Sequence, residues 1–401
     1  MKMPAFQYPS PQQALDALLT RLRPVSTEKR GLSDVGGRIL AQDVLADRPS
    51  PALDVSVMDG FAFALTDAAG GSLPIAGEAA IGQPPISLAP GTAARIVTGA
   101  TIPHRADCVL RTEDIQVLER SINFPIQALT NLPPNRNIRH RGENAQPGDL
   151  VVRRGTPITA PIASALASLG IHTPEVYRRL RIGVLSTGDE VLAPHETPQP
   201  WQLRDGNGSA LHQTFGSLPF VEEVESRRVR DDPRQLLAAV AELLSRCDAL
   251  FLSGGVSMGH RDFVPAALAA VGAETVFHKV PQRPGKPILA AIGPRDQLIL
   301  GLPGNPVSVL VTAHRFGVAA VRRLAGEQAA LPVPSVEVAS PDQQTIPLWW
   351  HRLVKLNARG QAELVDHRGS GDFIASSRSD GFIEVPPNTT AAGVWPFYAW
   401  R

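Results

Sequence analysis

The sequence predicts an α/β protein with additional β domains, and three observations carry that prediction. From about residue 180 to 325, apolar runs of strand length alternate with helical spacings, the pattern of a parallel sheet with helices on both faces. Residues 71–150 are rich in Gly, Pro and short β-like runs, which reads as a small β domain. From about 328 to 401 the chain returns to β-like runs with Gly turns, so a small C-terminal β domain is expected.

Composition bounds the function classes. A chain of 401 residues suggests roughly two to four domains. Lys+Arg is 39 and Asp+Glu 38, and a net charge of +1 argues against a nucleic-acid footprint over the whole surface. Any anion-binding patch must be local. Cys108 and Cys247 form no CxxC, which favours a reducing compartment. The N-terminus MKMPAFQYPS lacks an apolar signal region and no apolar run is long enough to span a membrane, so a cytoplasmic protein is expected. The 37 prolines predict many turns and edge strands.

Taken in order, Ser10-Pro11 reads as an N-cap and first helical position, followed by the apolar face Ala14, Leu15, Leu18, Leu19 and Leu22. Asp59-Gly60 is a turn signal between two apolar runs. Strands are expected at Ala93–Val97, Cys108–Arg111 and Ile115–Leu118, with the Thr98 hydroxyl at a strand exit, where its usual role is a local cap. NIRHRGEN (137–144) alone reads as a solvated charged turn. A small-residue helix fits Ala160–Leu169, with Gly170 as its C-terminal stop. The run Arg181–Ser186 predicts a buried strand, Phe220–Val229 an alternating one, and Asp232-Pro233 the start of a helix with Leu236, Leu237, Val240, Leu243 and Leu244 on its face. Thr275–Val280 and Ile288–Ile292 predict strands around the loop 281–287, and Gln297–Leu302 a strand before a long helix, Val307–Leu324.

The stretch SGGVSMGHRDF (253–263) lies between the apolar run Cys247–Leu252 and a helical spacing over Phe263–Val271. Adjacent glycines let a backbone approach a ligand closely, and free N–H groups opening a helix suit an oxyanion. In parallel sheets ligands bind beyond the carboxyl ends of the strands. Three such exits carry unusual turns: Thr187–Glu190, Ser253–Asp262 and Pro303–Ser308. One rim would then combine donors from Gly254, Gly255 and Gly304, hydroxyls from Thr187, Ser257 and Ser308, and carboxylates from Asp189, Glu190 and Asp262, with Lys279, Arg283 and Lys286 beside it. Each loop alone is weak: a Gly-Gly turn is usually a chain reversal, Asp231 and Asp232 divide between helix capping and metal binding, and surface cations are usually just solvated. Together they suit a polyanion, and adjacent carboxylates suit Mg²⁺ bridging to phosphate oxygens. A phosphorylated or nucleotide-bearing small molecule is the natural substrate class.

At these residues the chain resembles the MoeA family of molybdopterin molybdenumtransferases, which includes the E domain of gephyrin. The matching stretches are SVMDGFA (56–62), RIVTGATIP (95–103), NIRHRGEN (137–144), STGDEV (186–191), RDGN (204–207), SGGVSMGHRDF (253–263), PGKP (284–287), LPGNPVS (302–308) and GSGDFIASSRSDGFI (369–383). The resemblance implies an elongated N-terminal part (1–50 with 147–178) interrupted by a β lobe (51–146). A three-layer molybdopterin-binding α/β domain (179–327) and a barrel-like C-terminal β domain (328–401) follow. It implies a homodimer with the active site between subunits, and insertion of molybdenum from molybdate into adenylylated molybdopterin with release of AMP and use of Mg²⁺. Other proteins of molybdenum cofactor biosynthesis are implied as partners.

Carried over by position, the resemblance gives catalytic roles to Asp59, Thr98, Glu190 and Asp262, with Asp231, Asp262 and Glu190 as metal ligands. Substrate binding falls to Arg139, Thr187, Gly188, Asp189, Asn207, Lys279, Arg283, Lys286 and Ser308. The loop residues Ser253, Gly254, Gly255 and Ser257, and Pro303, Gly304, Asn305 and Pro306, share that task. Three positions depart from the family pattern: Asn144 replaces a common Asp, Arg283 a frequent Lys, and His140 a frequent third Arg. Two alternative readings are a molybdopterin adenylyltransferase, which shares the α/β domain type, and a paralogue that binds molybdopterin or a protein without turnover. The DGFA, TGATIP and RGEN stretches oppose the first; Asn144 is the feature behind the second.

Overall fold

The computed structural model describes residues 6–125, 129, 132–256, 262–328 and 332–400. The chain forms two compact units, Asp43–Arg153 and Met1–Gln42 with Arg154–Arg401. No helix among the described residues is long and apolar enough to cross a membrane.

The unit Asp43–Arg153 is built on a six-stranded sheet in the order Cys108–Arg111, Gly60–Phe63, Ala93–Ile96, Ser72–Ala79, Ser121–Asn123 and Gln116–Val117. Phe61, Phe63, Leu73, Leu110, Ile122 and Phe124 fill its core, with the Phe63 and Phe124 rings 4.8 Å apart. The two runs flanking Asp59-Gly60 do not pair as a hairpin. Val55–Ser56 pairs with Ile138–Arg139, while Gly60–Phe63 lies between two other strands. Gly60 is there for space: a Cβ would stand 1.9 Å from the Leu110 carbonyl oxygen.

In the larger unit, helix α1 (Pro11–Arg21) starts at Ser10, whose hydroxyl accepts the Gln13 N–H, and buries Ala14, Leu15 and Leu18. Helix α2 is Ala160–Ser168, and Gly170 follows it at φ 73°. The central sheet uses β1 (Leu180–Thr187), β2 (Val221–Val229), β3 (Ala249–Ser253), β4 (Glu274–His278), β5 (Leu289–Ile292) and β6 (Leu298–Leu302), interleaved with α3 (Gly206–Gly216), α4 (Pro233–Arg246) and α5 (Val264–Ala270). Its order is β2-β1-β3-β6-β5-β4. The expected parallel sheet holds for the first four strands only. β5 runs antiparallel to β6 and β4 antiparallel to β5, because ten residues between β4 and β5 are too few for a helical crossover and return the chain as a hairpin.

Strand alternation sends Ile182, Val184 and Phe251 to one face, against Leu211 and Phe215 of α3, and Leu185, Leu250 and Leu252 to the other, against α4 and α5. α4 shows how the sequence achieves this. Asp232 caps Arg234 and Gln235, Pro233 opens the first turn, and Leu236, Val240, Leu243 and Leu244 face the sheet. Burial of each such leucine contributes about 1.5–3 kcal/mol. Leu237, expected on that face, is 36% exposed instead.

The long helix after β6 is a rod of α6 (Pro306–Thr312), a π-helical turn (Ala313–Val318) and α7 (Ala319–Leu324). Gly317 lets it close on the stacked Phe215 and Phe251 rings, whose centroids are 4.0 Å apart; a Cβ there would come within 2.9 Å of Phe251. The C-terminal part holds β7 (Ser335–Glu337), β8 (Trp349–Leu356), β9 (Ala362–Leu364), the short helix α8 (Phe373–Ser377), β10 (Gly381–Val385) and β11 (Val394–Ala399). Pairing runs β7-β11-β10-β8-β9, and the bridge Val338–Ala362 brings the end of β7 back to β9, which makes the sheet barrel-like.

A buried charge cluster ties these parts together. Arg315, in the π-turn, donates to Glu384 of β10 at 2.7 Å and to Gln12 of α1 at 3.0 Å. His351 Nε2 of β8 lies 3.0 Å from the same carboxylate. Burial pushes the Glu384 carboxyl up, but hydrogen bonds and charge from His351 and Arg315 outweigh it and hold the group at about 2. Glu384→Gln leaves the buried Arg315 charge uncompensated and is expected to cost about 3–5 kcal/mol at neutral pH. Since the ordinary value is 4.5, the carboxylate's contribution is fully present above that pH and lost as pH falls through about 2. The difference in melting temperature between wild type and Glu384→Gln should close over that window.

Candidate active site

Parallel register sets the level of the rim. Ser186 of β1 pairs with Ser253 of β3, and Ser253 with Leu302 of β6, so the three strands end side by side. The turns that leave them, expected on one rim, do line one cavity of about 1390 Å³.

The turn after β1 is held by its neighbours. The Thr187 hydroxyl donates to Asp231 Oδ1 at 2.8 Å, and the Asp231 N–H donates to Asp189 Oδ1 at 3.3 Å. After β3 the chain folds tightly enough that only glycine is accommodated. Gly254 adopts φ 95°, and a Cβ there would stand 2.8 Å from the Thr187 carbonyl oxygen. The Gly254 N–H donates to the Leu302 carbonyl at 3.1 Å. Asn207, in the first turn of α3, joins the exits of β3 and β6: its Nδ2 donates to Ser253 Oγ at 2.9 Å and to the Gly304 carbonyl at 2.7 Å.

Of the residues expected at the site, Thr187, Gly188, Glu190, Asn207, Asp231, Ser253, Gly254, Gly255 and Asp262 line this cavity, as do Pro303–Pro306. Ser257 lies outside the described residues. Asp189 supports the turn without lining the cavity. Ser308 does not line it either: it is buried within α6, where its carbonyl accepts the Thr312 hydroxyl. Lys279, Arg283 and Lys286 belong to the loop between β4 and β5 and are absent from the lining, which that loop reaches only through Pro287. Lys286 Nζ instead stands 5.4 Å from the centre of the Phe6 ring.

In the other unit, Asp59 Oδ1 accepts both the backbone N–H of Thr98 at 2.7 Å and its hydroxyl at 2.8 Å. These hydrogen bonds hold the Asp59 carboxyl below its usual range. Thr98 is therefore a partner of Asp59 rather than a self-contained cap. Arg139 faces Glu143 at 3.7 Å, and the His140 ring lies 3.2 Å from Asp54. Asn144 donates its N–H to the Ser50 carbonyl at 2.8 Å.

The structure adds lining residues to which sequence reasoning gave no role. Ser186 and Asp205, both buried, line it from the α/β domain, and Phe373, Ser376, Ser377 and Trp400 form a wall from the C-terminal part. That wall is anchored where the Asn305 side chain donates to Ser370 Oγ at 2.9 Å and the Val307 N–H to the Ser370 carbonyl at 3.0 Å. The 369–383 stretch carried the signal, but nothing in its pattern tells which residues turn back to the sheet.

Among solved structures, a molybdopterin biosynthesis MoeA protein from Pyrococcus horikoshii matches with a TM-score of 0.81 at 21% identity, covering 97% of this chain and 99% of that one, and so shares the fold. Residues 9–170 match the MoeA N-terminal region (domain I and II), and residues 183–323 a probable molybdopterin binding domain. Fold and family matches together thus define a MoeA-like protein whose α/β domain carries the cavity at its strand exits. A molybdopterin molybdenumtransferase of Synechococcus elongatus is 37% identical over 76% of this chain and 77% of its own, and one of Haemophilus influenzae is 34% identical over 92% and 93%. The chain belongs to the molybdopterin molybdenumtransferase family, transferases of molybdenum cofactor biosynthesis.

Asn207→Ala removes two side-chain hydrogen bonds between strand exits. It is expected to lower stability by about 1–2 kcal/mol, read as a lower urea midpoint at unchanged m-value, and to weaken ligand binding in the cavity.

Proposed function

We propose that the chain inserts molybdenum from molybdate into adenylylated molybdopterin and releases AMP. The observation that carries this reading is the cavity itself. About 1390 Å³ exceeds the roughly 300–1,000 Å³ of sites for single small ligands and suits a pterin and a nucleotide joined through phosphates. With the Gly254 N–H bound to the Leu302 carbonyl, it is the backbone at Gly255 that can approach phosphate oxygens closely. Family membership and the sequence identities to curated molybdenumtransferases support the reaction, and they favour it over adenylyl transfer.

The donor set suits magnesium of a particular kind. Glu190, Asp231 and Asp262 line the cavity, yet no group of three or more His, Cys, Asp or Glu is arranged to hold a metal among the described residues. Mg²⁺ usually takes one or two carboxylates and completes its shell with water and substrate phosphates. These residues fit an ion that arrives with the phosphates, where it would neutralise their charge. Glu190 and Asp262 orient water at the phosphate bridge. Asp231, held by Thr187, fixes the turn that carries Glu190.

The proposal includes a homodimer in which Asp59, Thr98 and Arg139 of one subunit complete the cavity of its partner, with Arg139 attracting molybdate. A cytoplasmic location accords with Cys108 and Cys247 being free thiols; burial pushes Cys108 up to about 12 and Cys247 to about 11. Contacts with other proteins of molybdenum cofactor biosynthesis belong to the same reading.

The test is molybdenum insertion into purified adenylylated molybdopterin, with AMP followed in parallel. Wild type should release AMP in step with molybdenum uptake, and Glu190→Ala and Asp262→Ala should each lower the rate by about 10²-fold or more. No AMP release with molybdate and Mg²⁺ overturns the reading. Mixing Asp59→Ala with Glu190→Ala subunits should restore roughly a quarter of wild-type activity if sites are shared between subunits; no recovery in verified mixed dimers overturns the shared site.

A further inference from the structure

Asp205 is the N-cap of α3: its Oδ1 accepts the Gly208 N–H at 2.7 Å. It is only 6% exposed and lines the large cavity. It also lines, with Ser209, His212, Ser226 and Arg228, a smaller cleft of about 300 Å³. Capping alone does not call for a charge, since Ser or Asn caps a helix as well. A buried carboxylate is moreover unfavourable beside the phosphates of a ligand. Its nearest cation does not bind it directly: Arg228 Nη1 stands 4.0 Å from Oδ2, beyond hydrogen-bond distance.

A second, independent feature lies on the same wall. Ser186 is 3% exposed and lines the cavity. Its Oγ finds no hydrogen-bond partner among the described residues, and such an orphan is costly unless something else satisfies it. Ser186 pairs in register with Arg228, the residue whose guanidinium approaches Asp205. A carboxylate and an unsatisfied hydroxyl thus share one wall of a cavity whose Gly254 and Gly255 backbone lies at the end of a neighbouring strand.

We propose that Asp205, with the Ser186 hydroxyl, reads the hydrogen-bond-donating edge of the pterin and so fixes which end of the two-part substrate enters this side of the cavity. The inference rests on the proposed function. A pterin carries a 2-amino group next to an N3–H, two donors side by side, which a carboxylate accepts in parallel. Adenine offers no such pair, since its amino group adjoins an acceptor nitrogen. The carboxylate therefore favours the pterin in this compartment over the nucleotide.

The experiment measures, for wild type, Asp205→Asn and Ser186→Ala, the KM and equilibrium binding of adenylylated molybdopterin, the inhibition constant of AMP, and the melting temperature. Asn retains the cap, and Ser186→Ala removes a hydroxyl with no hydrogen-bond partner among the described residues, so both variants should melt like wild type. Asp205→Asn should weaken adenylylated molybdopterin by about 10- to 100-fold and Ser186→Ala by a smaller factor, with the AMP constant unchanged in both. Unchanged KM and binding in both variants overturn the proposal, as does an equal loss for AMP. If Asp205→Asn lowers the melting temperature, Asp205→Ser, another capping residue, takes its place under the same criteria. Wild type failing to bind adenylylated molybdopterin sinks the proposed function itself; normal wild-type turnover with unaffected variants sinks only the role of Asp205 and Ser186.

Discussion

The register of the parallel strands is the constraint on which the site depends. Because Ser186, Ser253 and Leu302 are aligned, three turns far apart in sequence leave the sheet at one level. A one-residue slip in such a sheet turns every side chain to the opposite face, and here it would also move a turn off the rim. The Asn207 amide reinforces the alignment from outside by bonding to both Ser253 and Gly304. The sheet thus sets the positions, and a single side chain on α3 holds the ends together.

A second layer of organisation couples the C-terminal part to this rim. The rod after β6 begins with the Pro303–Pro306 turn at the cavity and carries Arg315 two helical turns further on, in its π-helical segment. Arg315 and Glu384 form a desolvated ion pair in which each charge needs the other, and His351 hydrogen-bonds the same carboxylate. Near the cavity the link is lighter, made by Ser370 with Asn305 and Val307. Firm anchoring in the core with lighter ties at the mouth leaves the wall of Phe373, Ser376, Ser377 and Trp400 supported from behind, while its cavity side is open to a ligand.

Much of this was legible in the sequence. Ser10-Pro11 and Asp232-Pro233 announced two helix starts, because an oxygen that accepts N–H groups followed by a residue lacking one can do little else. The apolar run before Gly254-Gly255 announced a strand ending in a tight turn, because adjacent glycines accept positive φ and a close backbone approach. Less was legible where the partner in space is remote in sequence. Asp59-Gly60 resembled a hairpin turn, yet its glycine answers to a carbonyl of Leu110 and its aspartate to Thr98. Lys279, Arg283 and Lys286 had the right charge, but the loop that carries them lines the cavity only through Pro287.

The sequence by itself determined the α/β alternation, the helix caps, the rim turns and the family, since each is written in local residue order and spacing. Tertiary structure alone decided that the sheet is mixed, with β4 and β5 returning as a hairpin. It alone decided that Ser308 is buried within a helix, and that Ser186 and Asp205 line one cavity with residues from the C-terminal part. The physical reason is that propensity and periodicity act within a few residues. A hydroxyl without a partner, or a carboxylate held 4.0 Å from a guanidinium, is a property of what surrounds it after the chain has folded.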